Sequence, residues 1–218
     1  MGLMRGINHF QNRYRLRALK FSGLFYAMQI FKQYIERQTV NDTINIENLE
    51  IQASIFVVIP CYNEPDILST LKSLSECYPP KAKVAVIIVI NSAEDSPDEA
   101  LAQNLKTLSF VSTWKQQNHG NFLDIHTLHV KNLTRKFAGV GWARKIGMDE
   151  VVKQLSAAGR EDGIIVSFDA DSIVAPNYLQ EIEQSFDRNP EYNFFTIDFA
   201  HPIQSTGLSD FEREVAIL

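Results

Sequence analysis

The sequence predicts an α/β domain with a mainly parallel central sheet and flanking helices, preceded by an N-terminal helical region. Short runs of apolar, β-branched residues alternate with longer segments of helical periodicity over residues 51–199. Most of the short runs are apolar without interruption, as strands buried on both faces require. Helices between successive strands return the chain to the same edge, so the strands are expected to be parallel.

Length, composition and charge limit the classes of protein to which this chain can belong. The 218 residues, 45% apolar and 22% charged, suffice for one sizeable core. Residues 1–40 carry seven basic side chains and one acidic one, so the net charge of −5 leaves −11 on the remainder. An acidic main body argues against nucleic-acid binding, which uses a basic surface. The two cysteines have neither a disulfide framework nor a metal-binding spacing, which favours a reducing, cytoplasmic compartment.

We divide the chain into a basic helical region, residues 1–50, and a main domain, residues 51–218. Apolar residues in the first region recur near helical spacing. They are Phe21, Leu24, Phe25, Met28, Phe31 and Tyr34. Three interpretations stay open: an amphipathic helix packed on the core, a basic helix on an anionic membrane surface through residues 1–40, or a surface for a partner chain. The most apolar stretch, residues 21–31, is too short to span a bilayer, so membrane contact would be peripheral, at the cytoplasmic face.

The main domain opens with a strand, a helix and a second strand. Residues 55–59 form the first predicted strand, an apolar run closed by Pro60. A helix over residues 65–77 follows, because Pro65 suits a first helical turn and four apolar residues fall on one stripe. These residues are Ile67, Leu68, Leu71 and Leu74. The second strand is another uninterrupted apolar run, residues 84–90.

The next helix begins with a strong signal. Ser96-Pro97-Asp98-Glu99 is a capping box with proline at the first helical position. The helix reaches toward Trp114, and its leucines are Leu101, Leu105 and Leu108. A third strand over residues 124–130 is indicated by the alternation of polar and apolar side chains.

The second half of the domain continues the alternation. We predict a helix over residues 141–155, a strand over 163–168, a helix over 176–186 and a strand over 193–199. Ser209-Asp-Phe-Glu212 forms a second capping box and predicts a terminal helix. A helix that begins so clearly and ends after about three turns suggests a domain truncated at its C-terminus.

Two aspartates follow the fourth strand. Asp169 and Asp171 come directly after an apolar run, at the carboxyl edge where parallel sheets bind ligands. Carboxylates suit Mg²⁺ or Mn²⁺ bridging a diphosphate. Because two aspartates one residue apart are common by chance, the position at the strand end carries the argument. Aspartates in a solvated loop, or capping a helix, are the alternative.

Two further segments suit ligand binding. Pro60-Cys61-Tyr62-Asn63-Glu64-Pro65 brings an aromatic ring and hydrogen-bonding groups to the same edge of the sheet, although an ordinary strand-to-helix turn has the same composition. Gly139 and Gly141 open a helix, where free backbone N–H groups suit a phosphate, and Arg144 adds charge one turn later. This segment does not match a dinucleotide-binding fingerprint well, since its glycines do not directly follow a strand.

Taken in order, the segments VVIPCYNE (57–64), GWARKIG (141–147) and VSFDAD (166–171) resemble family-two inverting glycosyltransferases of the GT-A fold. The resemblance covers about residues 54–200. It implies a Rossmann-like nucleotide-diphospho-sugar transferase fold and a hexosyltransferase-like enzyme. Such an enzyme transfers a sugar from a nucleoside-diphosphate sugar to an acceptor hydroxyl with Mn²⁺ or Mg²⁺. The basic N-terminal region weakly favours a lipid-linked or cell-envelope polysaccharide acceptor.

The resemblance also implies roles for single residues. The nucleotide-sugar-binding residues would be Pro60, Tyr62, Glu64, Asn91, Arg144 and Asp169, and the metal-binding residues would be Asp171 and Asp169. The family's second strand usually ends in a D-D-x-S turn, whereas here Asn91 can hydrogen-bond a base without adding charge. The choice between UDP and GDP therefore stays open. Lys145 replaces the family's usual asparagine.

The catalytic base is not assigned. No residue after Asp171 matches the family's acceptor-side carboxylate, so we expect that base outside this chain. Two alternatives remain. One is a non-catalytic nucleotide-sugar-binding fragment. The other is a sugar nucleotidyltransferase, which would need a glycine-rich, basic loop where this chain has Cys61-Tyr-Asn-Glu-Pro65.

Overall fold

Within the described part of the chain, four strands form the sheet: β1, Ile55–Cys61; β2, Val84–Ala93; β3, Leu123–Leu133; and β4, Ile164–Ser167. The computed structural model describes residues 30–37, 52–160 and 162–197. Within these ranges the strand order is β3-β2-β1-β4, and every neighbouring pair is parallel. The predicted α/β class with a parallel sheet is confirmed.

Helices connect the strands, as parallel pairing requires. α1 comprises residues 30–37. The others are α2, Ile67–Ser75; α3, Asp98–Gln117; α4, Val140–Ala157; and α5, Tyr178–Arg188, with a 3-10 turn at Arg135–Phe137 before α4. The chain divides into two compact units, and the boundary falls within α5, between Glu183 and Gln184. The predicted boundary at residue 50 lies outside the described residues and stays a prediction.

The two central strands, β1 and β2, are buried over nearly their whole length. Alternate residues of a strand point to opposite faces of the sheet. On one face, Ile55, Val57 and Ile59 pack with apolar residues of α2. On the other face, Phe56 and Val58 pack with apolar residues of α4. Full burial of such a side chain contributes about 1.5–3 kcal/mol, so both faces favour uninterrupted apolar strands.

Gly147 allows α4 to approach the sheet closely. A Cβ atom at this position would lie 2.5 Å from Val58 Cγ1 and 2.8 Å from Val89 Cγ2, closer than real side chains come. At Gly141, in the first turn of the same helix, an added Cβ would meet nothing within 4 Å. The last glycine of the GWARKIG segment therefore serves packing.

The start of α3 differs from its prediction. The helix begins at Asp98 with Pro97 as its N-cap residue, and no side chain caps it. The predicted capping box is therefore wrong. The Ser96 hydroxyl instead accepts a hydrogen bond from the N–H of Ala93 at 2.9 Å, because the serine closes the turn after β2.

The fully buried stripe of α3 contains none of its leucines, although Leu108 packs against the apolar core. Leu105 is 58% exposed, and the buried residues follow another stripe. That stripe consists of Ala100, Asn104, Thr107 and Val111. Its two polar members contact backbone groups near the ends of β1 and β2. Hydrogen bonding at the edge of the sheet, as well as apolar packing, therefore sets the orientation of this helix.

The strand predicted over residues 193–199 is wrong for its described part. Residues 193–197 form irregular structure, and Phe194 is 79% exposed. A strand is stabilised by a neighbour in a ladder, and no strand of the described sheet pairs with this segment. The last two residues of that prediction lie outside the described residues, as does the helix predicted from Ser209.

A polar cluster attaches α1 to α4. The Tyr34 hydroxyl donates to Asp149 Oδ1 at 2.7 Å, and Lys145 Nζ lies 3.0 Å from both carboxylate oxygens of Asp149. Because Asp149 is buried, the lysine compensates its charge. Phe31 packs against the apolar cluster that includes α4. The rest of residues 1–50 lies outside the described part of the chain, and no helix within that part is long and apolar enough to cross a membrane.

Candidate active site

A cleft of about 580 Å³ lies at the carboxyl edge of the sheet. Four segments form its walls: the turn after β1, the end of β2, the start of α4 and the turn after β4. The cleft contains all seven residues predicted to bind nucleotide sugar or metal: Pro60, Tyr62, Glu64, Asn91, Arg144, Asp169 and Asp171. Parallel strands gather these distant segments because their carboxyl ends meet at one edge. The binding roles of these residues stay predictions.

The turn after β1 contributes an exposed aromatic ring. Tyr62 is 45% exposed, and its hydroxyl lies 3.4 Å from Ser96 Oγ. Glu64 has a local contact, since its Oε1 accepts a hydrogen bond from the N–H of Asp66 at 2.9 Å. Asp66 is the N-cap residue of α2. Glu64 therefore supports the start of a helix as well as lining the cleft, and its binding role stays a prediction.

Asn91 lies buried at the end of β2, and its amide joins this strand to the loop before α4. Its Nδ2 donates a hydrogen bond to the carbonyl of Ala138, another residue of the cleft wall. The asparagine thus holds two walls of the cleft together. A carboxylate in its place would have no proton to donate to that carbonyl at neutral pH.

The sequence interpretation missed three residues of α3 that hold the turn after β1. Gln103 Nε2 and Thr107 Oγ1 both donate to the carbonyl of Glu64, each at 3.0 Å, and Asn104 contacts the same turn. A signal was present in the sequence: polar residues at 104 and 107 occupy the middle of a helical stripe. The expectation that apolar residues mark the buried face concealed it.

The start of α4 brings positive potential to the cleft. Gly139 is the N-cap residue, and no side chain caps the helix. The first N–H groups of a helix have no partners within it, and the helix dipole is positive at this end. Arg144 forms an ion pair with Asp169 across the cleft. Its Nε is buried without a hydrogen-bond partner among the described residues.

The alternation of side chains after β4 places the two aspartates in the cleft. Phe168 and Ala170 point into the core, so Asp169 and Asp171 are exposed on the other side. The hydroxyl of Thr70, from α2, donates to the carbonyl of Ala170 at 2.6 Å. A buried hydrogen bond therefore holds the turn that carries both carboxylates.

The carboxylates suit a cation that is shared with a ligand. The described residues contain no group of three or more His, Cys, Asp or Glu side chains arranged to hold a metal ion. Asp169 is paired with Arg144, whereas Asp171 is exposed in the cleft. Mg²⁺ and similar ions commonly take one or two carboxylates and complete their coordination with phosphate oxygens and water. The residues present fit a divalent cation bound together with a diphosphate.

Cys61 lines the cleft, and its side chain is buried. Burial, together with the nearby charge of Glu64, raises the pKa of its thiol to about 12. The thiol therefore stays protonated at neutral pH, and the thiolate is the reactive form. A protonated, buried thiol is unfavourable for covalent catalysis.

Several solved structures are similar to this chain. S. aureus TarS 1–349 in complex with UDP shares 20% identity over 63% of this chain and 33% of TarS, with a TM-score of 0.42. For its complex with UDP-GlcNAc the values are 19%, 63%, 32% and 0.40. For the mannosyltransferase PcManGT from Pyrobaculum calidifontis in complex with GDP-Man and Mn²⁺ they are 17%, 76%, 41% and 0.39. The chain thus spans about a third of the length of the TarS structures.

No curated protein matches the chain. The model of the family described as glycosyl transferase family 2 does match, over residues 56–202. This range is more than half of the sequence and includes every residue of the cleft. The chain belongs to glycosyl transferase family 2.

Proposed function

We propose that this chain is the donor-binding half of a metal-dependent, inverting glycosyltransferase. One observation carries the proposal: a single cleft joins an aromatic turn, a helix N-terminus with an arginine, and two carboxylates. A nucleoside-diphosphate sugar presents a flat base, a charged diphosphate and a polar sugar. These three parts correspond to the three kinds of group in the cleft.

The nucleotide end is assigned to the turn after β1 and the end of β2. The exposed ring of Tyr62 offers an apolar face to a base, and Asn91 offers an amide. Pro60 and Glu64 line the same wall. UDP and GDP both remain candidates, since complexes with UDP and with GDP-Man are known among the similar structures.

The diphosphate is assigned to the start of α4. Backbone N–H groups at a helix N-terminus favour anions. Arg144 adds a full positive charge, and its buried Nε has no hydrogen-bond partner within the described part of the chain. A divalent cation held by Asp171, with Asp169 nearby, would stabilise charge on the departing diphosphate as a Lewis acid. The ion pair between Arg144 and Asp169 keeps both side chains in place.

The proposed transfer step is a single displacement. The acceptor hydroxyl loses its proton to a base and attacks the anomeric carbon. The bond from that carbon to the phosphate oxygen breaks, and the electron pair leaves with the nucleoside diphosphate. A single displacement of this kind inverts the anomeric configuration. The base is assigned to no residue of this chain, so non-catalytic binding of the nucleotide sugar is the second candidate. Nucleotidyl transfer is disfavoured, because the turn after β1 has neither glycine nor a cation.

Calorimetry of UDP- and GDP-sugars, with and without Mn²⁺, tests the proposal. We expect Mn²⁺-dependent binding by the wild type and a loss of that dependence in Asp171→Asn. Asp162→Asn is a matched control, because Asp162 precedes β4 and Asp171 follows it, at opposite edges of the sheet. Binding that is independent of metal and equal in both variants would refute the metal assignment. Failure of the wild type to bind any sugar nucleotide would refute the proposed function.

We also infer a peripheral contact of residues 1–40 with an anionic, cytoplasmic membrane surface, supported by their seven basic side chains. Sedimentation with liposomes tests it. We expect more protein to sediment with vesicles that contain anionic lipid than with neutral ones. Equal partitioning between the two would contradict the inference.

A further inference from the structure

We propose that Asn104 of α3 is a positioning residue of the nucleotide cleft. Its side-chain amide contacts the backbone near the ends of β1 and β2, the two strands that carry Tyr62 and Asn91 into the cleft. Asn104 does not line the cleft itself. The expected effect on nucleotide affinity rests on the proposed function, whereas the effect on backbone order does not.

The Asn104 side-chain amide accepts one hydrogen bond and donates another. Its Oδ1 accepts from the N–H of Asn63 at 2.9 Å, and its Nδ2 donates to the carbonyl of Asn91 at 3.1 Å. The ladder between β1 and β2 ends at the pair of Cys61 and Ile90, one residue before Asn91 and two residues before Asn63. Asn104 therefore joins the two chains at the point where the ladder stops.

Because the Asn104 side chain is buried, the loss of either hydrogen-bond partner is costly. Asn104 is 1% exposed, so water does not replace a lost partner easily. Asn63 has a φ of 52°, in the left-handed region that asparagine tolerates better than most residues. A hydrogen bond on its N–H helps to hold this uncommon conformation. Tyr62 and Glu64 flank Asn63, so the bridge sets the positions of two cleft residues.

The two contacts need an acceptor and a donor on one short side chain. Leucine has a similar size and supplies neither. Aspartate accepts from Asn63, but when ionised it presents negative charge to the carbonyl of Asn91. A protonated aspartate has one acceptor and one donor, as asparagine has. Because burial raises the pKa of a carboxyl group, Asn104→Asp is expected to regain the bridge as the pH falls.

Hydrogen exchange without ligand is the first measurement. At pH 8 we expect amides of residues 61–66 and 90–95 to exchange about tenfold faster in Asn104→Asp and Asn104→Leu than in wild type. Val111→Ala is the matched control, since Val111 lies on the same buried stripe but packs in the apolar core. Its exchange in both segments should equal that of wild type. Unchanged exchange in both Asn104 variants would overturn the proposal.

Nucleotide affinity at two pH values is the second measurement, with UDP and GDP as probes. At pH 8 we expect Asn104→Asp and Asn104→Leu to bind about tenfold more weakly than wild type. At pH 5.5 the aspartate variant should recover to within about threefold of wild type, whereas the leucine variant should not. Purification at pH 5.5 keeps the aspartate variant folded if the leucine variant does not fold.

The outcomes separate this proposal from the proposed function. The positioning role would be overturned if wild type and both Asn104 variants bound nucleotide with equal affinity. It would also be overturned if the Asn104 variants lost no more nucleotide affinity than Val111→Ala does at the same loss of stability. If wild type binds neither nucleotide, the proposed function fails. The exchange measurement then still decides whether Asn104 orders the two turns.

Discussion

α2 and α3 pack against each other and bury residues in the same apolar cluster, but by different means. α2 buries a stripe of large apolar residues: Ile67, Leu71 and Leu74. On α3 the buried stripe starts and ends with apolar residues, and its middle is polar, Asn104 and Thr107. Both helices thus bury one stripe of residues, but the middle of the stripe is apolar in α2 and polar in α3.

The difference reflects what each helix faces. The stripe of Ile67, Leu71 and Leu74 covers strand side chains, which need only apolar contact. Beside it, Thr70 donates a hydrogen bond to the carbonyl of Ala170 in the turn after β4. The first half of α3 faces the turn after β1 and the end of β2, beyond the last pair of the ladder between β1 and β2. Buried backbone groups must be hydrogen-bonded, so this part of the helix is polar. In α3, therefore, buried polar side chains replace apolar ones where they hydrogen-bond the backbone that shapes the cleft.

The largest effect is expected in α2. Leu71→Ala should lower the free energy of unfolding by about 2–5 kcal/mol, because it removes a fully buried side chain and leaves a cavity. Chemical denaturation measures the loss, and calorimetry on the remaining folded protein should show unchanged nucleotide affinity. A loss below about 1 kcal/mol would contradict the view that this helix acts through apolar packing.

α4 provides a third case, in which a glycine lets the helix approach the sheet closely beside its buried apolar residues. Gly147→Ala should destabilise the protein by about 1–3 kcal/mol, because its Cβ would clash with Val58 and Val89. Gly141→Ala is the control in the same helix. It has open space and should leave stability unchanged or raise it by up to about 1 kcal/mol. Thermal unfolding compares the two, and equal melting temperatures would refute the packing argument.

A smaller effect is expected from the polar stripe of α3. Thr107→Val should cost about 0.5–1.5 kcal/mol, since it removes one of two hydrogen bonds to the carbonyl of Glu64 and Gln103 keeps the other. Nucleotide affinity should fall by no more than about threefold. Denaturation and calorimetry measure both quantities. A gain in stability would show that the hydroxyl contributes nothing to holding the turn.

The smallest effect is expected from a leucine that the helical pattern makes prominent. Leu105→Gln should change stability by less than about 0.5 kcal/mol, because Leu105 is mostly exposed. Denaturation alongside Leu71→Ala gives the contrast between the two helices. If both substitutions cost the same, the buried face of α3 has been assigned to the wrong residues.

Much of the fold was predictable because strands and helices leave strong local signals. The uninterrupted apolar runs of β1 and β2 and the stripe of α2 indicate burial directly. The capping box before α3 failed because Ser96 found a partner in its own turn. The strand predicted over residues 193–199 failed in its described part because propensity does not supply a neighbouring strand.

The candidate site was predictable for a related reason. Each of four cleft residues lies near the carboxyl end of a strand or near the start of a helix, so a parallel sheet brings them to one edge. Tyr62 follows β1, Asn91 lies near the end of β2, Arg144 lies near the start of α4, and Asp171 lies in the turn after β4. Asn104 was not predictable in the same way. Its role depends on which backbone groups lose their ladder partners, and that is a property of the assembled sheet.

The sequence by itself determined the α/β class, most of the element order and the residues that meet in the cleft, because hydrophobic periodicity and strand ends are local properties. Only the tertiary structure decided what those residues contact. It paired Arg144 with Asp169, placed Lys145 on Asp149 and turned the polar stripe of α3 toward the cleft. These contacts join segments distant in the chain, and their partners are chosen by packing geometry that no local pattern encodes.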